Sequence, residues 1–301
     1  MTAATVSRPA ARRFGAVGLV AIGLICQEIG ASFAVLLFPA VGAIGMVSLR
    51  LVFSAIVLLA VARPRLRGRS RSDWLTVIAF GLALALMNAL FYEALARVPL
   101  GATITIEVLG PLVLSVVMSR RASSWLWAVL AFGGVVILSQ GSFGDLDPVG
   151  VAFAFGAAAM WAGYILLSAR TGARFPRLDG LALAMTIGAV ITVPFGIASA
   201  GPALFQPGIL LLGAAVALLS STIPYTLELV ALRRLPSATF SILMSLTPAI
   251  ATTAGFLILG QEFTWVAFVA IGLVMAASIG AVLSASRAAS AGEAAFGEPL
   301  S

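Results

Sequence analysis

The chain has no histidine and no lysine, and a single cysteine, Cys26, in 301 residues. Each absence removes a class of chemistry. Without histidine there is neither the usual proton shuttle of neutral pH nor the commonest metal ligand. Without lysine there is no phosphate-cradling P-loop, so ATP could act only through a partner chain. One cysteine cannot form an internal disulfide. Charge is scarce as well. Only 10% of residues are charged and 61% are hydrophobic, with a mean hydropathy of +1.12, against about 25% charged in an ordinary soluble domain. This is the composition of an integral membrane protein. No cofactor or metal site is expected. Neither H-E-x-x-H nor G-x-S-x-G occurs, so the ligands or nucleophile–base pair of an intramembrane enzyme are missing, and that reading stands as the remote alternative.

What is present is a series of apolar runs. Ten of them, near residues 14–37, 40–62, 74–95, 99–119, 125–141, 149–168, 179–199, 207–232, 236–259 and 264–285, are long enough to cross ~30 Å of hydrocarbon as helices. The separators carry helix breakers, Pro39, Pro64, Pro99, Pro148, Pro176, Pro202, Pro207 and Pro236 among them. The expected fold class is therefore all-α, with ten transmembrane helices. All 18 basic residues are arginine. Their net charge of +7 suggests nucleic acid at first sight. Yet they cluster in short loops, where membrane orientation explains them. With the N-terminus placed in the cytoplasm, cytoplasmic segments hold every arginine except Arg97, which falls outside, and Arg50, which falls within a span. The outer loops hold Asp145, Asp147 and Glu262. Both ends are thus expected in the cytoplasm. A cleaved signal peptide over 8–37 fits poorly, because the run is too long and contains Gln27 and Glu28.

Two stretches align when shifted by 137 positions. Ala94, Leu95, Arg97, Pro99 and Pro111 of "ALARVPLGATITIEVLGP" fall on Ala231, Leu232, Arg234, Pro236 and Pro248 of "ALRRLPSATFSILMSLTP". The repeat divides the chain into a tail (1–13), a first five-helix half (14–142), a second (143–286) and a second tail (287–301). Five spans per half is an odd number, so the second half enters the membrane inverted, as in many secondary transporters.

The segments "GASFAVLLFPAVGAIGMVSLRL" (30–51), "MNALFYEALARVPLGATITIEVLGPL" (87–112), "AMWAGYILLSARTGA" (159–173) and "LSSTIPYTLELVALRRLPSATFSILMSLTPAIA" (219–251) resemble the EamA-type transporters of the drug/metabolite superfamily, and within them the threonine/homoserine exporter type. The resemblance spans nearly the whole chain. It implies a ten-helix, multi-pass carrier of the bacterial inner membrane that exports small amino acids or related metabolites; export of drugs or other amphiphiles is the alternative. Two positions depart from the family's usual pattern: Thr247 stands where an acid is common, and Val35 where a basic residue is.

Polar residues inside the spans are the candidate site. A charge at a helix centre costs about 2.5–3.5 kcal/mol on insertion scales, so it persists where it faces a cavity or a partner. Glu107 lies eight residues past Pro99, roughly 12 Å deep at helical rise. Pro111 cannot donate to the carbonyl of residue 107, and Thr103 offers a hydroxyl one turn earlier. In the second half Pro248 frees the carbonyl of Met244, beside Ser245 and Thr247. Pro224 interrupts "LLSSTIPYTLEL", where a restarting helix would aim N–H groups at a substrate carboxylate. Tyr225 occupies the repeat position of Asn88. Tyr92, Trp161 and Tyr164 complete the candidate substrate contacts, with ordinary packing the rival role for the aromatic residues. Glu107 has a rival role too, a structural kink bonded to a neighbouring helix. Glu228 is expected to pair with Arg233 or Arg234, and Glu93 to be wet near the outer surface. Glu28 and Arg50, each eleven residues from Pro39, are expected at one depth and paired. The partners expected are a small-molecule substrate, the lipid bilayer and, as a candidate coupling ion, the proton; no nucleic acid is expected.

Overall fold

The computed structural model describes the backbone of residues 8–119, 122–139, 146–232, 235 and 237–296, and the side chains of 15–118, 125–138, 146–227, 231, 235, 240 and 242–284. All regular structure among the described residues is helical. In chain order the elements are α1 (Arg8–Ala62), α2 (Arg71–Leu95), α3 (Leu100–Glu107), α4 (Leu109–Ser119), α5 (Ala122–Ser139), α6 (Pro148–Arg174), α7 (Asp179–Ala200), a 3-10 turn (Gly201–Phe205), α8 (Pro207–Ala217), a π turn (Leu218–Thr222), α9 (Ile223–Leu232), α10 (Ser237–Met244), α11 (Thr247–Leu259) and α12 (Trp265–Phe296).

Eight helical stretches among the described residues are long and apolar enough to cross a membrane. The first, Gly15–Ala62, runs for 48 residues, more than twice the length a bilayer needs. It doubles back at Gly42, where φ is 70° and ψ is 170°, a conformation essentially restricted to glycine. The two arms then meet at one residue: a Cβ on Gly30 would lie 2.9 Å from the Ser220 nitrogen, and Arg50 bonds the Ser220 carbonyl at 3.0 Å. The sequence suggested a reversal at Pro39, but Pro39 lies inside the helix. Proline holds φ near its helical value and forfeits one hydrogen bond, whereas a reversal needs the positive φ that glycine supplies. Trp125–Leu138 is a shorter apolar helix.

Two helices are broken in the same way. α3 and α10 are each eight residues long, and their bounds differ by 137 positions at both ends. Pro111 and Pro248 sit just past the breaks and withhold the N–H that would join each half to the next. The eighth apolar segment behaves differently. A restarting helix at Pro224 was expected; instead the Ile223 N–H donates to the Leu218 carbonyl, the wider spacing of a π turn, and the helix continues. No fresh N-terminus therefore arises at Pro224. π turns of this kind absorb a proline without ending the helix.

Lipid provides no hydrophobic drive for helix association, so contact rests on small residues and interhelical hydrogen bonds. A Cβ on Gly110 would run into the Ala158 carbonyl, which brings the α4 backbone directly against α6. Ser48 on the second arm of α1 donates to the Thr192 carbonyl of α7 at 2.8 Å. Trp127 on α5 donates to Ser284 on α12 at 3.0 Å. Large apolar side chains such as Leu211 (73% exposed) and Trp265 (76%) point outward, as lipid-facing surface should. At one end of α2, Arg174 pairs with Asp73 at 3.5 Å, and Arg69 with Asp179 at 3.8 Å, so the arginine-bearing loops around 69 and 174 share a side. At the other end, Glu93 is bonded to Arg97 rather than simply wet, and Arg97 also reaches Asp147 at 3.8 Å.

Candidate functional site

A cavity of about 120 Å³ lies among both arms of α1, α2, α3, α6, the π turn, α9 and the α10–α11 break. Asn88, Glu107, Trp161, Tyr164, Tyr225 and Thr247 line it, together with Glu28 and Arg50. The repeat-related positions 88 and 225 thus face one space. Residues 107 and 247, beside the breaks after α3 and α10, face it too. Gln27, Ala31, Met87, Phe91, Ile104, Ser220 and Met244 complete the wall. Gln27 carries a sequence signal, a polar side chain in an apolar run; Ala31, Met87, Phe91 and Ile104 carry none, because an apolar residue facing a cavity reads the same as one facing lipid.

Arg50 is the centre of the site. It is 7% exposed, and three hydrogen bonds to two elements, α2 and the π turn, hold it. Nε donates to Ser221 Oγ at 3.0 Å, Nη2 to the Ser220 carbonyl at 3.0 Å, and Nη1 to the Tyr92 hydroxyl at 3.3 Å. Pro224 explains the carbonyl. A proline four residues on has no N–H to offer it, so the guanidinium takes that place. The π turn therefore presents a carbonyl to Arg50, not N–H groups to a ligand. Of the five N–H donors of an arginine, these bonds use three and leave two, one on each Nη, for a ligand. Tyr92 is fully buried and does not line the cavity; it positions Arg50, whose guanidinium also stands 5.5 Å from the centre of its ring. Phe38 packs edge-on against Tyr92, ring centres 5.6 Å apart.

The expected Glu28–Arg50 ion pair is not formed; among the described residues no carboxylate lies within salt-bridge distance of Arg50. The two residues do not share a depth, because the chain turns at Gly42 and not at Pro39. Measured from Gly42, Glu28 lies fourteen residues back and Arg50 eight forward, which offsets them by about 9 Å along the axes. Glu28 is fully buried, and neither carboxylate oxygen has a hydrogen-bond partner among the described residues. An orphaned buried polar group costs about 1–3 kcal/mol and calls for an explanation. Glu107, at 7% exposure, turns its carboxylate to the same cavity beside the break that Pro111 creates.

Thr103 and Ser245 lie elsewhere. The Thr103 hydroxyl donates back to the Val98 and Pro99 carbonyls at 3.3 and 3.2 Å and does not reach the cavity. Thr247 lines the site but donates to the Met244 carbonyl at 2.6 Å, so the acceptor that Pro248 frees is already engaged. Glu228 is on α9; its side chain, Arg233 and Arg234 lie outside the described residues. Ser245 lines a second cavity of about 400 Å³, bounded by α4, α6, α10, α12 and the breaks after α3 and α10. That wall includes Pro111, Ser115, Phe240 and Ser278 and, among the described residues, carries no charged side chain. Trp161 and Met244 line both cavities.

The model of the EamA-like transporter family matches residues 148–283. The chain is 41% identical over 268 residues to the threonine/homoserine exporter RhtA of Salmonella typhimurium, covering 88% of this chain and 90% of that one. It is 40% identical over 257 residues to RhtA of Escherichia coli K12, covering 85% and 87%. A crystal structure superposes with a TM-score of 0.61 at 20% identity, over 91% of this chain and 98% of the other, which shows a shared fold. The breaks, the cavity and this extent of identity place the chain in the EamA-like transporter family, as a transporter of the RhtA type.

Proposed function

We propose that the protein is a secondary exporter carrying small amino acids of the threonine and homoserine kind across the inner membrane, by alternating access of two inverted five-helix halves. The cavity carries this reading. It sets one guanidinium with two N–H groups to spare against two carboxyl groups, in about 120 Å³ of largely enclosed space. That pattern complements a zwitterion, with the carboxylate on the fork of Arg50 and the ammonium on Glu28 and Glu107. Asn88 and Tyr225 are placed for a side-chain hydroxyl. The curated relatives, threonine/homoserine exporters by name, support the same substrate class.

A count of ten crossings is supported if the two arms of α1 are taken separately and the shorter apolar helix Trp125–Leu138 is included. The matched eight-residue half-helices support two repeats, and an odd number of crossings in each inverts the second. Cysteine labelling on a Cys26-free background tests the orientation. A cysteine at Glu262 should label from outside and one at Gly68 only after permeabilisation; the opposite result at position 262 would break the inverted arrangement.

Efflux of radiolabelled threonine and homoserine from proteoliposomes tests the function. The wild type should give saturable flux, and Glu107→Gln should lower it about tenfold or more, since hydrogen bonds to charged groups are worth about 1.5–3 kcal/mol, with insertion at wild-type level. Full flux in Glu107→Gln removes Glu107 from the site. Flux of lipophilic cations without flux of either amino acid would favour the drug-export alternative.

A further inference from the structure

The two cavities differ in chemistry and share a wall. The polar one is about 120 Å³ and holds Glu28, Arg50, Asn88 and Glu107; the other is about 400 Å³ and mostly apolar, with Ser115, Ser245, Ser278 and Trp161 as the polar side chains among its described lining residues. Ser278 Oγ is buried without a hydrogen-bond partner among the described residues. Trp161 of α6 and the last residue of α10, Met244, stand between them and touch both spaces. An engineered apolar cavity of about 150 Å³ accepts benzene. The polar cavity is smaller than that, so an aromatic ring could not share it with the amino and carboxylate groups of an amino acid. The neighbouring chamber is more than large enough for a ring.

The chamber also has a defined place along the transport axis. α3 begins beside Arg97, so α4 runs toward the end of the molecule where Arg69 and Arg174 lie. Pro111, Leu112 and Ser115 of α4 line the chamber. It therefore sits between the polar site and the arginine-rich end.

Resting on the amino-acid reading above, we infer that Trp161 and Met244 form the divider that sets the size limit of the exported side chain, and that the chamber behind them is a latent subsite for aromatic and long aliphatic side chains. Bound at Arg50 and the two carboxyl groups, an amino acid directs its side chain into whatever space adjoins the polar cavity. The indole of Trp161 closes the route into the chamber to anything larger than a few carbons. Met244 supplies a flexible, adaptable neighbour, so the indole is the rigid part of the divider. Met244 is the last residue of α10, so any change in angle at the α10–α11 break moves that side of the divider.

The test compares wild type, Trp161→Ala, Trp161→Phe and Met244→Ala in proteoliposomes, measuring efflux of radiolabelled threonine and phenylalanine. Trp161→Ala should raise the phenylalanine-to-threonine flux ratio about tenfold or more, the scale on which small steric differences in a pocket discriminate substrates; Trp161→Phe should fall between it and wild type. A ratio unchanged within about twofold, well below the roughly tenfold low end of that scale, in a variant that elutes and melts as folded protein overturns the inference. If Trp161→Ala does not fold, Met244→Ala is judged by the same criterion. A second readout separates this inference from the proposed function. Phenylalanine should raise the unfolding midpoint of detergent-solubilised Trp161→Ala but not that of wild type, whether or not threonine is carried. No shift in the variant, or an equal shift in wild type, counts against the divider. Loss of threonine flux in wild type with the differential shift retained counts against the amino-acid export reading alone.

Discussion

Arg50→Ala is expected to abolish export and to lower the yield of folded protein, and Arg50→Lys to abolish export with a smaller loss of folded protein. The guanidinium ties the second arm of α1 to α2 through Tyr92 and to the π turn through Ser221 and the Ser220 carbonyl. Hydrogen bonds from a charged donor are worth about 1.5–3 kcal/mol each, and alanine removes all three at once. It also strands the Ser220 carbonyl, which Pro224 leaves without a helical donor. Lysine restores charge but not geometry. An ammonium is a point donor that cannot span three acceptors in one plane and still present a fork to a carboxylate. If Arg50 only held helices together, lysine would keep most of the flux that survives per folded molecule. If it also binds substrate, flux per folded molecule should fall by about a hundredfold or more, the product of two lost charge-assisted bonds. Efflux normalised to folded protein, with unfolding midpoints alongside, reads both effects. Near-normal flux in Arg50→Lys would remove the carboxylate seat.

Gly30→Ala reaches the same site through the backbone, since its Cβ would lie 2.9 Å from the backbone nitrogen and the Cβ of Ser220. Arg50 is thus fixed by contacts about 170 positions away in the chain. This is why its surroundings could not be read from sequence. A buried arginine signals that partners exist; it does not say which. A carboxylate twenty-two residues off is the obvious candidate on charge alone, and it is not the partner. By contrast, features that depend on local backbone chemistry were legible. Pro111 and Pro248 do mark helix breaks, each withholding an N–H from the carbonyl four residues back, and the 137-residue offset survives to both ends of α3 and α10; the same missing N–H at Pro39 and Pro224 ends no helix. Asn88, Glu107, Trp161, Tyr164, Tyr225 and Thr247 were found as polar or aromatic interruptions of apolar helices, and they do line one cavity. Polarity alone misplaced Thr103, whose hydroxyl is absorbed by its own helix. The reversal at Gly42 was missed for a related reason. Glycine is abundant here, with 30 in the chain, so nothing local distinguishes one that turns the chain from one that lets helices touch. The larger cavity was also out of reach, since its apolar wall is assembled from four separate stretches of the chain.

Glu28 gives the sharpest separation of folding from function. Were it paired with Arg50, replacing it would strand a charge and lower folded protein. Its carboxylate oxygens instead have no partner among the described residues, while the group is fully buried. Such a group opposes folding by about 1–3 kcal/mol, more where it is charged, and calls for an explanation, which a role in the transport site supplies. Glu28→Leu should therefore raise the unfolding midpoint in detergent, because an apolar side chain of similar size removes the unsatisfied oxygens. The same substitution should abolish export, because the substrate ammonium loses the carboxylate that would satisfy it. Glu28→Gln should leave stability near wild type and still cut efflux about tenfold or more, since an amide cannot replace a charge-assisted bond of about 1.5–3 kcal/mol. Added threonine should stabilise the wild type against heat, as any ligand selective for the native state does, and should leave both variants unshifted. A lower midpoint for Glu28→Leu would mean that Glu28 supports the fold through contacts other than hydrogen bonds. Wild-type efflux in either variant would remove it from the transport site.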